Sequence, residues 1–181
     1  MDTLSLKELK GCIEYAADSF DVVYIHWTAG NYNYHPDDYH ININDEGTIY
    51  RTRDFREQPA ATWHRNYRSL AIAIDCCKDA VLNADGSADF GDYPPTDAQI
   101  ECLAQVIATI ASATHRPIRQ SLYMTHAEAA ELDEYGPNTT CERWDLWVLP
   151  GSANWGAGGD YIRGKALFYQ NQWRQSGDAV E

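Results

Sequence analysis

The sequence predicts an α/β fold, a single domain with a mixed central β-sheet flanked by helices, and three observations carry that expectation. Short apolar runs at Val22–Trp27, Leu70–Ile74 and Leu122–Thr125 read as buried strands. Alternating segments at Tyr39–Asn44 and Thr48–Arg51, joined by Asp45-Glu-Gly47, read as a hairpin. Two capping boxes, Ser5-Leu-Lys-Glu8 and Thr96-Asp-Ala-Gln99, open helical patterns. Hairpin links make antiparallel pairs and helical crossovers make parallel ones, so a chain using both folds into a mixed sheet.

Each element has a local reason. The first capping box starts a helix over about Leu6–Asp18. Val22–Trp27 is the first strand, and the hairpin supplies the next two. Leu70–Ile74 is too short and too apolar for a surface helix. Asn83–Pro95 is rich in Gly, Pro, Asp and Asn and reads as a surface loop. Behind Thr96, residues Ile100, Leu103, Ile107, Ile110 and Ala111 recur at helical spacing, predicting a long amphipathic helix that stops before Pro117. Leu122–Thr125 is the next strand and Pro150–Gly159 a loop. Asp160 is expected to cap a last helix through Trp173, with a frayed tail after Gln175.

The bulk numbers narrow the function. At 181 residues the chain is expected to form one domain, 1–181, with its core over about 20–175 and no separate wall-binding domain. Hydrophobic residues at 44% exclude a disordered chain. A formal net charge of -13 argues against nucleic acid and anionic membranes, whose phosphates need Lys and Arg. No apolar run is long enough for membrane insertion. The N-terminus alternates charged and apolar residues, which is not the pattern of a secretory signal, so synthesis in the cytoplasm is expected. Five irregularly spaced cysteines (Cys12, Cys76, Cys77, Cys102, Cys141) form no disulfide or metal-knuckle pattern.

The candidate chemistry lies at strand ends, where α/β sheets build their sites. His26 ends one apolar strand and His126 another. Two imidazoles and a third protein ligand make a catalytic zinc set, leaving one position open. Asp145 and Cys141 both qualify as the third. Tyr39 and His40 open the second strand facing opposite ways, so one can point at a site while the other packs. His64 sits in a polar loop, and the Trp and Tyr residues could line a groove for sugar faces.

In order and spacing, Ile25-His-Trp-Thr-Ala-Gly30, Tyr39-His-Ile-Asn-Ile43, Asp45-Glu-Gly-Thr-Ile-Tyr50, Trp63-His64, Ser69-Leu-Ala-Ile72, the helix from Thr96, and Thr125-His-Ala-Glu128 resemble the zinc-dependent N-acetylmuramoyl-L-alanine amidases of the phage-lysozyme and peptidoglycan-recognition-protein type. The resemblance runs from about Val22 to Leu149. It implies Zn2+ as cofactor, held by His26, His126 and Asp145; Arg143-Trp-Asp145 fits the family's basic-x-acid element, and Cys141 lacks the basic residue. It implies hydrolysis of the amide between N-acetylmuramic acid and L-alanine. Arg143 and Tyr39 are the implied catalytic residues, with His64, Trp27 and Asn66 at the substrate. Many relatives carry a glutamate where this chain has Ala73; Asp75, two residues on, would face the same side and is the candidate substitute. The same fold also serves non-catalytic muramyl-peptide-binding modules. The implied partner is peptidoglycan, in the periplasm or cell wall, reached through a phage holin pore or by a secretion machine with an immunity protein.

Overall fold

Local chemistry starts the helices where the sequence expects them. In the computed structural model, which describes residues 1–83, 85–152 and 154–176, Ser5 caps helix α1 (Leu6–Ala16) and Thr96 caps helix α2 (Asp97–Thr114), each with a reciprocal capping box. His115 takes the left-handed conformation and closes α2 two residues before Pro117.

The main sheet has six strands: β1 (Asp2–Leu4), β2 (Val22–Trp27), β3 (Ile41–Ile43), β4 (Ile49–Arg51), β5 (Ser69–Ile74) and β8 (Tyr123–Thr125), in spatial order β1-β4-β3-β5-β2-β8. β1/β4 and β3/β4 are antiparallel, and β3/β5, β5/β2 and β2/β8 are parallel. A two-stranded ribbon, β6 (Val81–Leu82) with β7 (Ala88–Asp89), stands apart.

Period-two alternation gives the sheet two unlike faces. Ile25, Ile72 and Ile41 share one row, with Leu70, Ile74 and Ile43 beside them, and this face packs against Leu9 and Ile13 of α1, Leu103 and Ile107 of α2, and Ile162 and Ala166 of α4 (Gly158–Ser176). The core therefore begins at Leu9, ahead of the residue-20 boundary read from sequence. His26, Ala73 and Asn42 share a row on the opposite face. There helix α3 (His126–Leu132) contributes Ala129 to a small cluster with Tyr24 and Met124.

Several elements differ from expectation. β3 starts at Ile41 because the His40 ring occupies the ladder position: its Nδ1 accepts from the Ala71 N–H, while the His40 backbone N–H donates to the Ala71 carbonyl. Tyr39 therefore sits in a bend rather than a strand. The Asn83–Pro95 loop contains β7. α3 follows β8 with no loop, since Thr125 and Glu128 form a third capping box. Asp160 lies inside the first turn of α4 and binds Arg163. The tail from 177 lies outside the described residues.

His40 makes acid pH destabilising. Burial drives its pKa down to about 4, against hydrogen bonds to Glu57 and Ala71 that favour charge. The unfolded chain takes up this proton near pH ~6.5, the native state only near 4, so stability is present above ~6.5 and lost as pH falls toward 4, by at most ~3 kcal/mol. Urea unfolding in chelator should show this slope, and it should be shallower in His40→Asn, which keeps the acceptor for Ala71.

Candidate metal centre

Strand register brings the two histidines together. Ile25 pairs with Thr125 across β2 and β8, and His26 and His126 are the next residues on each. His126 is also the first residue of α3, and a buried ion pair holds that helix end. Glu128 receives the Thr125 N–H at 2.8 Å and two bonds from Arg163 of α4 at 2.7 and 2.8 Å, while Arg163 also donates to the Tyr123 carbonyl. The close approach of α4 needs glycine: a Cβ on Gly158 would collide with the Leu146 carbonyl and one on Gly159 with the Glu128 carboxylate. This packing seats Asp145, the neighbour of fully buried Leu146.

Three ligand atoms converge. His26 Nδ1 and His126 Nδ1 lie 3.1 Å apart, and Asp145 Oδ2 lies 3.8 Å from the first and 3.4 Å from the second. Ligands about 2.0–2.2 Å from a tetrahedral zinc are separated by roughly 3.3 Å, so the donor set and its spacing fit zinc. The outer nitrogens are held too: His26 Nε2 is 3.1 Å from the Thr62 hydroxyl and His126 Nε2 is 3.4 Å from the Tyr135 hydroxyl. Hydroxyls there accept Nε2–H and leave each Nδ1 lone pair facing the shared point.

Charge states agree with that use. Burial lowers the His26 pKa to about 4, the Asp145 carboxylate opposing, so the ring is neutral. Burial works against ionising Asp145, but the two imidazoles overcome it and hold its carboxyl well below the usual carboxylate range. A neutral His26 imidazole and an ionised Asp145 carboxylate are forms that bind a metal.

His126 and Asp145 open on a two-lobed cleft, with His26 fully buried behind them. One lobe, about 700 Å3, is walled by Trp63, Asn66, Tyr135 and His126; the other, about 370 Å3, by Trp27, Tyr39, Trp144 and Asp145. Arg143 and Glu142 border both. The Tyr39 ring lies 5.1 Å from that of His26. Burial first, then the Asp145 charge, pushes its phenol well above the ordinary range.

The other expected site residues divide. Arg143 and Tyr39 border the cleft. Trp27 lines it but is buried, its ring edge-on to Trp144 at 4.6 Å. Asn66 uses its carbonyl oxygen to hold the Ala61 and Thr62 N–H groups, which fixes the loop bearing Thr62. His64 borders neither lobe; it is exposed, as is Trp63, and its ring lies tilted against that of Trp63 at 3.9 Å. Cys141 is not in the ligand group among the described residues. Asp75 also borders neither lobe; its carboxylate meets His35 at 2.5 Å. Thr62 and Tyr135 had no spacing signal; only the need of a ligating histidine for an outer partner points to them, while Trp63 fell within the Trp63-His64 piece of the resemblance without a role assigned.

An open cleft beside two histidines from the ends of parallel strands and an aspartate from a turn after α3 defines the class as a candidate metallohydrolase. The N-acetylmuramoyl-L-alanine amidase family model matches residues 16–144, well over half of the chain, which therefore belongs to that family. It is a peptidoglycan amidase. The match includes His26 and His126 and ends one residue before Asp145. No curated protein matches the chain. Among solved structures, the Ph2119 endolysin from Thermus scotoductus MAT2119 bacteriophage Ph2119 is similar in fold (TM-score 0.50, 18% identity, 81% of this chain and 84% of that one). The endolysin N-acetylmuramoyl-L-alanine amidase LysCS from Clostridium intestinale URNW gives a TM-score of 0.47 at 20% identity, over 67% of this chain and 79% of that one.

Zinc titration of metal-free protein should separate these roles. Asp145→Ala and His126→Ala should lose tight binding, Cys141→Ser should keep it, and Thr62→Val should weaken it by about 10–100-fold.

Proposed function

We propose that the chain is a zinc-dependent hydrolase of the amide joining the lactyl carbonyl of N-acetylmuramic acid to L-alanine, with His26, His126 and Asp145 as ligands. The observation that carries this reading is the convergence of His26 Nδ1, His126 Nδ1 and Asp145 Oδ2 on one point at the floor of an open cleft. Bound zinc supplies Lewis acidity, polarising the scissile carbonyl and lowering the pKa of water.

The chain's own residues do the rest. Tyr39 keeps its proton at neutral pH, so it serves as a hydrogen-bond donor beside the ligands, orienting the reacting groups while the proton lost by the attacking water passes to the leaving amine nitrogen. Arg143, exposed at the junction of the lobes, places a fixed positive charge near the carbonyl oxygen as it gains negative charge. Water adds to the carbonyl carbon, the C–N bond breaks, and the products are a lactyl carboxylate and a free L-alanine amine. The Trp63 ring and the Asn66 loop offer a wall for glycan or peptide, with Trp27 shaping the smaller lobe. His64 supports this wall through its contact with the Trp63 ring.

We infer an endolysin role, as for the Thermus phage endolysin of similar fold, with a holin pore carrying the protein from the cytoplasm to the wall. A secretion machine with a cognate immunity protein is the competing route. No helix among the described residues is long and apolar enough to cross a membrane.

Mass spectrometry of digested sacculi tests the chemistry. Stem peptides with a free L-alanine amine should appear, vanish on chelation and return with zinc. Binding without cleavage would mean a recognition module, and cuts at sugar linkages would mean a different bond. Tyr39→Phe should lower kcat by about 100-fold or more with zinc content unchanged.

A further inference from the structure

Asp75 follows directly on β5, the strand paired with that of His26, yet it borders neither lobe of the cleft. It is fully buried, its Oδ1 has no partner, and its Oδ2 lies 2.5 Å from His35 Nδ1. The His35 ring is stacked on Tyr50 at 4.2 Å, so it is fixed on both sides. Burial pushes the Asp75 carboxyl up to about 9 and lowers the His35 pKa. A neutral acid donating O–H to a neutral imidazole satisfies both.

That bond has a specific mechanical setting. Residues 31–40 link β2 to β3 without regular structure and carry Tyr39 to the cleft. Most pins on this segment come from one side: Asn42 donates to the Pro36 carbonyl, Arg53 to that of Asp37, and Thr52 to that of Tyr39. Among the described residues, His35–Asp75 is the single side-chain hydrogen bond tying residues 31–39 to β5 and its continuation. β5 pairs along its whole length with β2, the strand of His26. His40, at the end of the segment, is held to Ala71 of β5 by its ring and its backbone N–H, so the His35–Asp75 bond is the second tie to β5 and fixes residues 31–39, ahead of that anchor, relative to the histidine that Tyr39 faces.

We propose that Asp75 is a positioning residue, whose buried bond to His35 fixes the 31–40 segment so that the Tyr39 hydroxyl is held at the metal centre. The proposal rests on the reading of Tyr39 as a donor in the hydrolysis. It removes Asp75 from the role of general base, for which its burial and bonding leave it no access to the cleft.

Steady-state kinetics of the zinc-loaded protein on solubilised peptidoglycan test it. Asp75→Ala should lower kcat by about 10–100-fold, the scale of a misplaced group, with KM within about 3-fold and zinc content unchanged. Asp75→Asn should restore most of the rate, because its amide N–H can replace the acid O–H toward His35 Nδ1. His35→Ala, which breaks the same bond from the loop side, should repeat the loss if Asp75→Ala folds poorly. In a Tyr39→Phe background, Asp75→Ala and His35→Ala should each cost less than about 2-fold more, because residues acting as a unit are not additive. An Asn variant as impaired as Ala would overturn the proposal in favour of carboxylate chemistry. Full additivity on an impaired Tyr39→Phe would overturn it in favour of general scaffolding. A fully active Tyr39→Phe would sink the reading of Tyr39 itself, a result distinct from both.

Discussion

The parallel pairing of β2 with β8 is the constraint on which the site depends. It places Thr125 opposite Ile25, so the residues that follow, His26 and His126, emerge side by side at the same end of the sheet. Side chains alternate with a period of two, so a one-residue slip would send His26 into the isoleucine layer against α1 and α2 and bring Ile25 to the cleft. The core enforces the register: Ile25, Ile72 and Ile41 must all face the helices, and every one is fully buried. Packing of an apolar face, with no polar group of its own, thereby positions the polar face.

Polar groups then refine what the register brings together. The Glu128–Arg163 pair locks α4 to the first turn of α3, and breaking one partner of such a buried pair costs about 3–5 kcal/mol because a charge is left behind. The site gathers Asp145, His26 and His126 as mostly buried side chains at the edge of the cleft, where a neutral His26 ring and an ionised carboxylate are in the forms that bind a cation. Thr62 and Tyr135 keep the rings from rotating.

Much of this was legible in the residues. The apolar strands, both terminal-to-core capping boxes and the stop before Pro117 follow from periodicity and caps, and the strand-end placement of His26 and His126 made them candidates. Other features were not, for physical reasons. α3 was readable as the capping box Thr125-His-Ala-Glu128 but is only 7 residues long, below the length at which periodicity speaks. Tyr39 and His40 carry the alternation of a strand, yet His40 uses its ring in place of the ladder. Thr62 and Tyr135 are tertiary partners, and no spacing announces them. Asp75 was placed by alternation beside Ala73, but alternation cannot see that the 31–40 segment delivers His35 to meet it.

The most direct test is zinc K-edge X-ray absorption on the zinc-loaded protein, with Asp145→Ala and Cys141→Ser beside it. The account predicts a first shell of nitrogen and oxygen only, near ~2.0–2.2 Å, with two imidazole signatures, unchanged in Cys141→Ser and altered in Asp145→Ala. A sulfur scatterer near ~2.3 Å that disappears in Cys141→Ser, or a protein that retains no zinc, would contradict it.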